Sequence, residues 1–413
     1  MPNASGLNAV AEGHAGVPRR GRVLTACCGA HILHDGYSDL LYVLLPVWQA
    51  QFGLSFAEIG LLKTTYSGSM AALQMPASLL AERLGERLVL ALGTAIAAGA
   101  YLLIGTSGTF LALVACLVLG GLGSSVQHPL SSSLTARAFD GPGLRAALGT
   151  YNFSGDLGKM LFPAAIAWIV AVSNWRAATT AVGVVGIATA AALLCLVPMS
   201  RSRSSREDDA LPDREIAAHL PPKTVRRGFV ALSLIGVIDS ATRMGFLTLL
   251  PFLLTGKDAS LTTVGAALTL VFAGGAAGKF ICGLVAARVG VLRTVILTEV
   301  ATLSAILAAL VLPLVGILAL MLPLGVALNG TSSVLYGSVA ELTTPERRAR
   351  AFGLFYTCTI GAGALSPTVF GGVSDALGIP IAMVMLALSL AFILPLTLPL
   401  RTALRSLATP GSG

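Results

Sequence analysis

The chain has 413 residues, of which 55% are hydrophobic and only 11% are charged, and its mean hydropathy is +0.83. This apolar content exceeds that of soluble domains, so the composition excludes a soluble globular protein and predicts an integral membrane protein. The formal net charge of +8 does not indicate a nucleic-acid partner, because the cations lie at the ends of the apolar runs.

Twelve apolar runs, separated by glycine and proline, predict twelve transmembrane helices in two groups of six. Runs of roughly 20 residues cross about 30 Å of hydrocarbon as a helix. In chain order the predicted helices lie near 24–48, 59–82, 88–107, 109–136, 144–172, 176–198, 227–255, 262–287, 291–312, 314–341, 348–374 and 379–400. The predicted fold class is an all-α membrane protein with two pseudo-symmetric six-helix bundles.

The predicted bundles occupy residues 23–199 and 227–401, and the segment between them is rich in Ser, Arg, Asp and Pro. Such a composition cannot bury a core, so residues 200–226 are predicted to form a mobile linker. Residues 1–22 and 402–413 are predicted to be tails. Because residues 1–22 lack an apolar core of their own, no cleaved signal peptide is expected.

The distribution of Lys and Arg predicts the orientation in the membrane. One set of helix ends and the linker carry most of these residues, whereas the loops on the other side hold only Arg176 and Lys257. Cytoplasmic loops of membrane proteins carry an excess of Lys and Arg. Both termini and the linker are therefore predicted to be cytoplasmic, in a multi-pass protein of the plasma (inner) membrane.

The two halves repeat each other at a distance of 205 residues. Gly60 precedes Gly85 by 25 residues, and Gly265 precedes Gly290 by the same number. A Leu-Leu-Pro triplet lies 14 residues before each first glycine, and the helix before it carries an acidic residue, Asp35 or Asp239. A duplicated bundle with ionisable groups in corresponding helices is typical of transporters, in which a central site opens alternately to either side.

A short motif closes the second predicted helix of each half. Residues 78–87 read Ser-Leu-Leu-Ala-Glu-Arg-Leu-Gly-Glu-Arg, and residues 283–290 read Gly-Leu-Val-Ala-Ala-Arg-Val-Gly. Both resemble the Gly-x-x-x-Asp-Arg-x-Gly-Arg-Arg signature of the major facilitator superfamily, although Glu stands for Asp in the first copy and the second copy lacks the acid. The resemblance implies a conformational role for Glu82, Arg83, Gly85, Arg87, Arg288 and Gly290.

A closer resemblance lies in the first and fourth predicted helices. Residues 31–39 read His-Ile-Leu-His-Asp-Gly-Tyr-Ser-Asp, and residues 121–132 include His-Pro at 128–129. These stretches are similar to fosmidomycin-resistance-type exporters, which implies a secondary active transporter that works by alternating access and exports small drug-like compounds in exchange for protons.

The fifth predicted helix departs from that resemblance. Antiporter-like members carry Gly-Pro where this chain has Phe162-Pro163, and Asp156 and Lys159 add charges nearby. Proton-driven import of a small polar or anionic metabolite therefore stays open as an alternative, as does a non-transporting membrane sensor. An enzyme is not expected, since no nucleophile and base form a recognisable set.

Carboxyl groups within the spans are the predicted proton-coupling residues. A charge at mid-span costs about 2.5–3.5 kcal/mol on insertion scales, which predicts a function or a partner for each one. Asp35, Asp39 and Asp239 are assigned to proton coupling. Asp35 shares one helical face with His31 and Asp39, and burial next to a second carboxylate favours the neutral acid. The alternative for Asp35 is a helix–helix hydrogen bond that only holds the bundle.

The remaining polar residues of the spans are assigned to a substrate cavity. Asp239 and Arg243 are one turn apart and form either a structural pair or, when the acid is protonated, a site for an anion. Asp156 and Lys159 allow the same two interpretations, and His128 is either a site residue or an interior hydrogen-bond donor. The predicted cavity residues are His31, Tyr37, Gln74, His128, Asn152, Asp156, Lys159, Arg243, Asn329 and Tyr336. Lys63 and Glu299 are set aside, because they lie nearer to helix ends or on less informative helices.

Metal and cofactor sites are not predicted. Cys27, Cys28, His31 and His34 have metal-binding side chains, but adjacent cysteines point about 100° apart on a helix, so only part of this set converges. The sequence has no Gly-x-x-x-x-Gly-Lys-Ser/Thr run, so ATP is not the expected energy source. The expected partners are a small-molecule substrate, protons and the lipid bilayer, with no nucleic acid, and the protein is expected to be a monomer.

Overall fold

The computed structural model describes residues 5–139, 141–198, 223–343 and 348–408. Residues 200–222 of the predicted linker lie outside the described part of the chain, as do residues 1–4 and 409–413 of the predicted tails.

The first half of the chain forms seven helical segments. They are α1 (Ser5–Phe52), α2 (Phe56–Leu84), α3 (Glu86–Thr106), α4 (Phe110–Ser124), α5 (Gln127–Ala138), α6 (Gly141–Val172) and α7 (Trp175–Leu196). The fourth predicted helix is thus divided into α4 and α5 by a turn at 125–126. Helix α1 begins at Ser5, so residues 5–22, predicted to form a tail, are helical.

The second half forms a further seven helical segments. They are α8 (Lys223–Thr255), α9 (Leu261–Val289), α10 (Val291–Val311), α11 (Leu314–Glu341), α12 (Arg348–Leu377), α13 (Ile379–Ser389) and α14 (Ile393–Ala408). A single 3-10 turn, Leu390–Phe392, joins α13 to α14. With α4–α5 and α13–α14 each counted as one rod, the described residues form the twelve predicted helices.

Nine of these twelve rods are long and apolar enough to cross a membrane, as judged over the described residues. The other three are α1, α2 and α12. Helix α1 carries Asp35 and Asp39, and α2 carries Lys63. These charged residues lower the hydropathy of α1 and α2.

Local capping explains where several helices begin. Thr109 accepts a hydrogen bond from the amide of Ala112 at the start of α4. Asn174 accepts one from the amide of Ala177 at the start of α7. Gly85 and Gly290, the repeated glycines, both have φ 89°, a backbone conformation that favours glycine because it has no Cβ. The repeat found in the sequence is therefore also a repeat of backbone geometry.

The described chain divides into two compact units. Unit one contains the described parts of residues 1–40, 69–162 and 172–204, and unit two contains those of residues 41–68, 163–171 and 205–413. The division does not follow the two halves of the sequence. One end each of α1, α2 and α6 belongs to unit two, because these ends pack on helices of the second half.

Two close helix contacts in unit two show this packing. Gly60 of α2 lies against the carbonyl group of Pro367 on α12, and Gly265 of α9 lies against Pro163 on α6. We call them the α2–α12 joint and the α9–α6 joint. In each joint a Cβ atom on the glycine would overlap atoms of the facing helix, so the two helices approach more closely than larger residues allow.

Asp375 of α12 reinforces the α2–α12 joint. Its two carboxylate oxygens accept hydrogen bonds from the backbone amides of Phe56 (2.7 Å) and Ala57 (2.8 Å), the first residues of α2. A carboxylate at this position satisfies two amides that have no partner inside the helix and interacts favourably with the helix dipole. Asp375 therefore caps a helix that lies more than 300 residues earlier in the chain.

Candidate functional site

Asp35 and the three ionisable side chains around it form a cluster in unit one. Oδ2 of Asp35 lies 3.3 Å from Nζ of Lys159 and 3.4 Å from Nε2 of His31. Oδ1 lies 3.6 Å from Nε2 of His128. Helix α1 supplies Asp35 and His31, α5 supplies His128, and α6 supplies Lys159. We call this set the Asp35 cluster.

Tyr151 fixes the orientation of the His31 ring. Nδ1 of His31 lies 2.8 Å from the backbone carbonyl oxygen of Tyr151, and the two rings stack with centroids 4.2 Å apart. Because a carbonyl only accepts, Nδ1 must be the donor, and Nε2 is left facing the carboxylate of Asp35. Two acceptors would repel there, so this contact is favourable only when a proton lies on His31 Nε2 or on Asp35.

The exposure of the Asp35 cluster changes from one side to the other. The side chain of Asp35 is 10% exposed and that of His31 is 5% exposed, whereas His128 and Lys159 are 43% and 32% exposed. The carboxylate is thus buried, and two of its basic partners reach a more open region. This arrangement lets a small molecule contact Lys159 and His128 without reaching Asp35 itself.

The Asp35 cluster also contains a group with metal-ligand spacing. The ligand atoms of His31, Asp35 and His128 all lie within 4.8 Å of one another. The ammonium group of Lys159, 3.3 Å from the same carboxylate, already supplies a positive charge and disfavours a second cation. Cys27 and Cys28, considered in the sequence analysis, do not belong to this group in the described part of the chain.

His34 lies beside the Asp35 cluster but has a structural role. Its Nε2 is 3.0 Å from the hydroxyl of Thr94, and its Nδ1 is 3.1 Å from the hydroxyl of Ser124. Thr94 donates to the carbonyl of Leu90, so it accepts from His34 Nε2. Both ring nitrogens are satisfied, and His34 joins three helices of unit one.

A second buried group of ionisable side chains lies in unit two. Asp239 of α8 and Glu299 of α10 are 5% and 3% exposed, and the charge of Asp239 acts on the carboxyl group of Glu299. Arg243, one turn after Asp239, interacts electrostatically with both. The predicted cavity residue Tyr336 lines the same small cavity as Asp239 and Arg243.

Other predicted residues lie apart from these two groups. Tyr37 is fully buried, its hydroxyl donates to the carbonyl of Val182, and its ring stacks on Tyr101. These two contacts fix the position of the Tyr37 side chain inside unit one. Of the other predicted residues, Asp39 and Asp156 are buried, Gln74 and Asn329 are half-buried, and Asn152 is exposed.

Among the residues that the structure describes, the ion pair of the repeated motif is made by Glu86 and not by Glu82. Glu86 lies 3.1 Å from Arg137 of α5 and accepts a hydrogen bond of 2.6 Å from Ser133. Arg87 donates to the carbonyl of Leu194, whereas Glu82 and Arg83 are exposed. In the second copy, Arg288 is exposed and Gly290 forms the turn.

Three ionisable residues were missed or set aside by the sequence reasoning. Glu86 stands where the motif has a basic residue and was given no role, and Glu299 was set aside with Lys63. Lys63 is completely buried, with its ammonium group 4.2 Å from the centroid of the Tyr42 ring. The signal that identifies Lys63 and Glu299 is the one used for Asp35, namely a charged side chain inside an apolar helix.

The family model described as "Major Facilitator Superfamily" matches residues 27–238 and 232–412. Together with twelve helical rods and buried ionisable groups, this match defines a membrane-embedded secondary transporter. The chain belongs to the major facilitator superfamily, as the motif at 78–87 predicts.

Known proteins give a more specific likeness. The chain is 27% identical to the Fosmidomycin resistance protein of Escherichia coli (strain K12) over 86% of each chain. It is 24% identical to the Probable 4-methylmuconolactone transporter of Cupriavidus pinatubonensis, over 89% of this chain and 87% of the other. The predicted resemblance to the fosmidomycin-resistance type is confirmed.

A solved structure shows the same fold. It is a bacterial homologue of the human lysosomal transporter Spinster in an inward-facing and occupied conformation, with a TM-score of 0.80 and 18% sequence identity. The superposition covers 95% of this chain and 99% of the other. At this identity the likeness concerns the fold alone.

Proposed function

We propose that this protein couples the movement of protons to the transport of a small polar or anionic compound, with export as the first candidate direction. The observation that carries the proposal is the Asp35 cluster, in which a buried carboxylate meets an ammonium group and two imidazoles within 3.6 Å. The likeness to a resistance protein supports export, and the basic side chains on the open side of the cluster support an anionic substrate.

Proton binding at Asp35 changes the charge of the whole cluster. When Asp35 is ionised, it holds Lys159 in an ion pair. When Asp35 takes up a proton, this attraction weakens, and Lys159 interacts more strongly with an anionic group of the substrate. The position of His31 Nε2, which needs a proton between itself and Asp35, supports a proton site at this contact.

The contact between Lys159 and Asp35 favours a second candidate function, import by proton symport. Protonation of Asp35 weakens its ion pair with Lys159, so proton and substrate bind together more readily than either binds alone. Binding together is the requirement for symport, whereas antiport requires that the two exclude each other. The Lys159–Asp35 pair therefore favours import, and the likeness to the resistance protein favours export.

Flux measurements in proteoliposomes test the proposal and separate the two directions. We expect an imposed pH gradient to drive labelled fosmidomycin, the first compound to try, against its own gradient. Movement opposite to the proton flow indicates antiport, and movement with it indicates symport. The substitution Asp35→Asn should abolish flux driven by the pH gradient but preserve counterflow exchange, because an amide cannot cycle a proton.

The matched control is Asp258→Asn, which makes the same chemical change at an exposed loop position. Asp258 has φ 61°, a conformation that asparagine tolerates. Retained counterflow also shows that Asp35→Asn is folded. If Asp35→Asn keeps the gradient dependence of the original protein, Asp35 is not the coupling residue.

A further inference from the structure

We propose that a basic groove at one end of unit two binds an anionic phospholipid. The groove lies between the first turns of α10 and the last turns of α14 and has a volume of about 940 Å³. We call it the α10–α14 groove. It includes no member of the Asp35 cluster, and the proposal does not rest on the proposed transport.

Three arginines give the α10–α14 groove a positive charge. Arg293 comes from the first turn of α10, and Arg401 and Arg405 come from α14. The two arginines of α14 are four residues apart, so they lie on the same face of that helix. Glu341, at the end of α11, also lines the groove and offsets one of the three positive charges. The excess of positive charge favours an anionic ligand.

Apolar side chains line the groove next to these arginines. Ile296 lies three residues after Arg293 on α10, and Leu398 lies three residues before Arg401 on α14. Residues three apart on a helix share a face, so each arginine has an apolar neighbour about one turn further into the membrane span. Leu398 is 63% exposed, so protein atoms leave much of this wall uncovered.

The change from apolar to basic residues along both helices indicates the surface of the bilayer. Both helices belong to segments that are long and apolar enough to cross a membrane, Val291–Val311 and Ile379–Ser406. Inside these spans, Leu297 is 60% exposed and Leu394 is 45% exposed, as expected of side chains that face acyl chains. The arginines lie at the span ends, where basic pockets between helices bind anionic lipid headgroups.

The corresponding turn in the first half of the chain carries its own acid. Glu86 lies there, 3.1 Å from Arg137, and the residue 205 positions after Glu86 is Val291. Val291 lines the α10–α14 groove and brings no negative charge to it. The second copy of the turn therefore suits an anion from outside the chain, which the first copy does not need.

A phospholipid matches both parts of the groove. Its phosphate pairs with the arginines, because guanidinium groups bind phosphate through charge-assisted hydrogen bonds. Its acyl chains cover the apolar side chains of Ile296 and Leu398. A soluble phosphate ester matches only the charge. The acidic run at positions 207–209 of the chain, Glu-Asp-Asp, is a further candidate for the charge, and the experiment below includes both alternatives.

Native mass spectrometry of the purified full-length protein tests the proposal. We expect phosphatidylglycerol to bind more tightly than phosphatidylcholine with the same acyl chains. Arg293→Gln and Arg401→Gln should each weaken the binding of phosphatidylglycerol about fivefold, and the double variant about 25-fold, as expected for the loss of one or two basic side chains near a headgroup. The matched control is Arg226→Gln, at an exposed position at the start of α8, which should bind phosphatidylglycerol like the original protein.

The same measurement can overturn the proposal in three ways. An unchanged affinity for phosphatidylglycerol in the double variant would show that the arginines do not bind the lipid. Glycerol phosphate, which has the headgroup charge but no acyl chains, should bind much more weakly; equal binding would assign the groove to a soluble anion. Binding of phosphatidylglycerol that appears only after Glu207→Gln, Asp208→Asn and Asp209→Asn would assign the groove to that acidic run.

The unaltered protein provides a test that needs no variant, in case the double variant fails to fold. The preference for phosphatidylglycerol over phosphatidylcholine should decrease as the ionic strength rises, because salt screens exposed charges. A preference that is independent of salt would also overturn the proposal.

Discussion

Lys159 stabilises the negative charge of a buried residue, and its removal should therefore affect folding as well as transport. Its ammonium group lies 3.3 Å from Asp35. We expect Lys159→Met to lower the stability by about 1–3 kcal/mol, the cost of leaving a buried charged group without one of its partners. Fluorescence-monitored thermal unfolding in detergent measures this effect, with the exposed Lys223→Met as the control.

The double variant Asp35→Asn/Lys159→Met separates this explanation from simple damage to the bundle. It carries no unpaired carboxylate, so it should be more stable than the sum of the two single effects implies. A strictly additive loss would show that Lys159 and Asp35 do not stabilise each other.

The sequence could identify one side of the Asp35 cluster but not the other. His31 and Asp35 are four residues apart on α1, so helical periodicity alone places them together. Lys159 was expected next to Asp156, one turn away, and the structure also places it 3.3 Å from Asp35 on another helix. Which helices face each other depends on packing, and no residue spacing within a single helix contains that information.

Between helices, the close packing at the α2–α12 joint predicts that a larger residue at position 60 destabilises the protein. A Cβ at position 60 would overlap the carbonyl group of Pro367 and the backbone of Thr368. Gly60→Ala should therefore force α2 and α12 apart and lower the stability by roughly 1–3 kcal/mol, the usual cost of overpacking. Thermal unfolding of the purified protein measures the change.

Gly68→Ala in the same helix is the matched control, because a Cβ there meets nothing within 4 Å. Alanine is the better helix former, so this variant should be as stable as the original or slightly more stable. Equal losses in Gly60→Ala and Gly68→Ala would contradict a close contact at the α2–α12 joint.

The number of helices could be predicted from the sequence, but the break within the fourth predicted helix could not. The twelve rods follow from apolar run lengths, and the repeated turns follow from Gly85 and Gly290. The break between α4 and α5 at 125–126 was not predicted, since Ser124 and Ser125 interrupt the apolar run without a strong breaker. His128 lies just after this break, and the turn helps to direct it towards Asp35.

For the whole molecule, the charge distribution predicts the orientation in the membrane. A green fluorescent protein joined to the C-terminus should fluoresce, because it folds in the cytoplasm. Alkaline phosphatase inserted at Lys257–Asp258, in the turn between α8 and α9, should be active, because that turn is predicted to lie on the opposite side. The reverse pattern of activities would contradict cytoplasmic termini.

The division into units could not be read from the sequence. Internal repetition indicates two equal bundles, and the predicted boundaries follow from it. In the structure, the ends of α1, α2 and α6 pack with the second half through contacts such as Gly60 with Pro367. These contacts join residues that are hundreds of positions apart, and a single sequence carries no record of such pairings.

The helix cap formed by Asp375 has a consequence for the order in which the protein is completed during synthesis. The amide of Phe56 is made 319 residues before the carboxylate that it binds. At the usual rate of about 5–20 residues per second, the ribosome needs roughly 16–64 s to bridge that distance. The newly inserted α2 must therefore wait in the bilayer with only the local cap that Ser55 and Glu58 form, and this rim of the protein is among the last parts to mature.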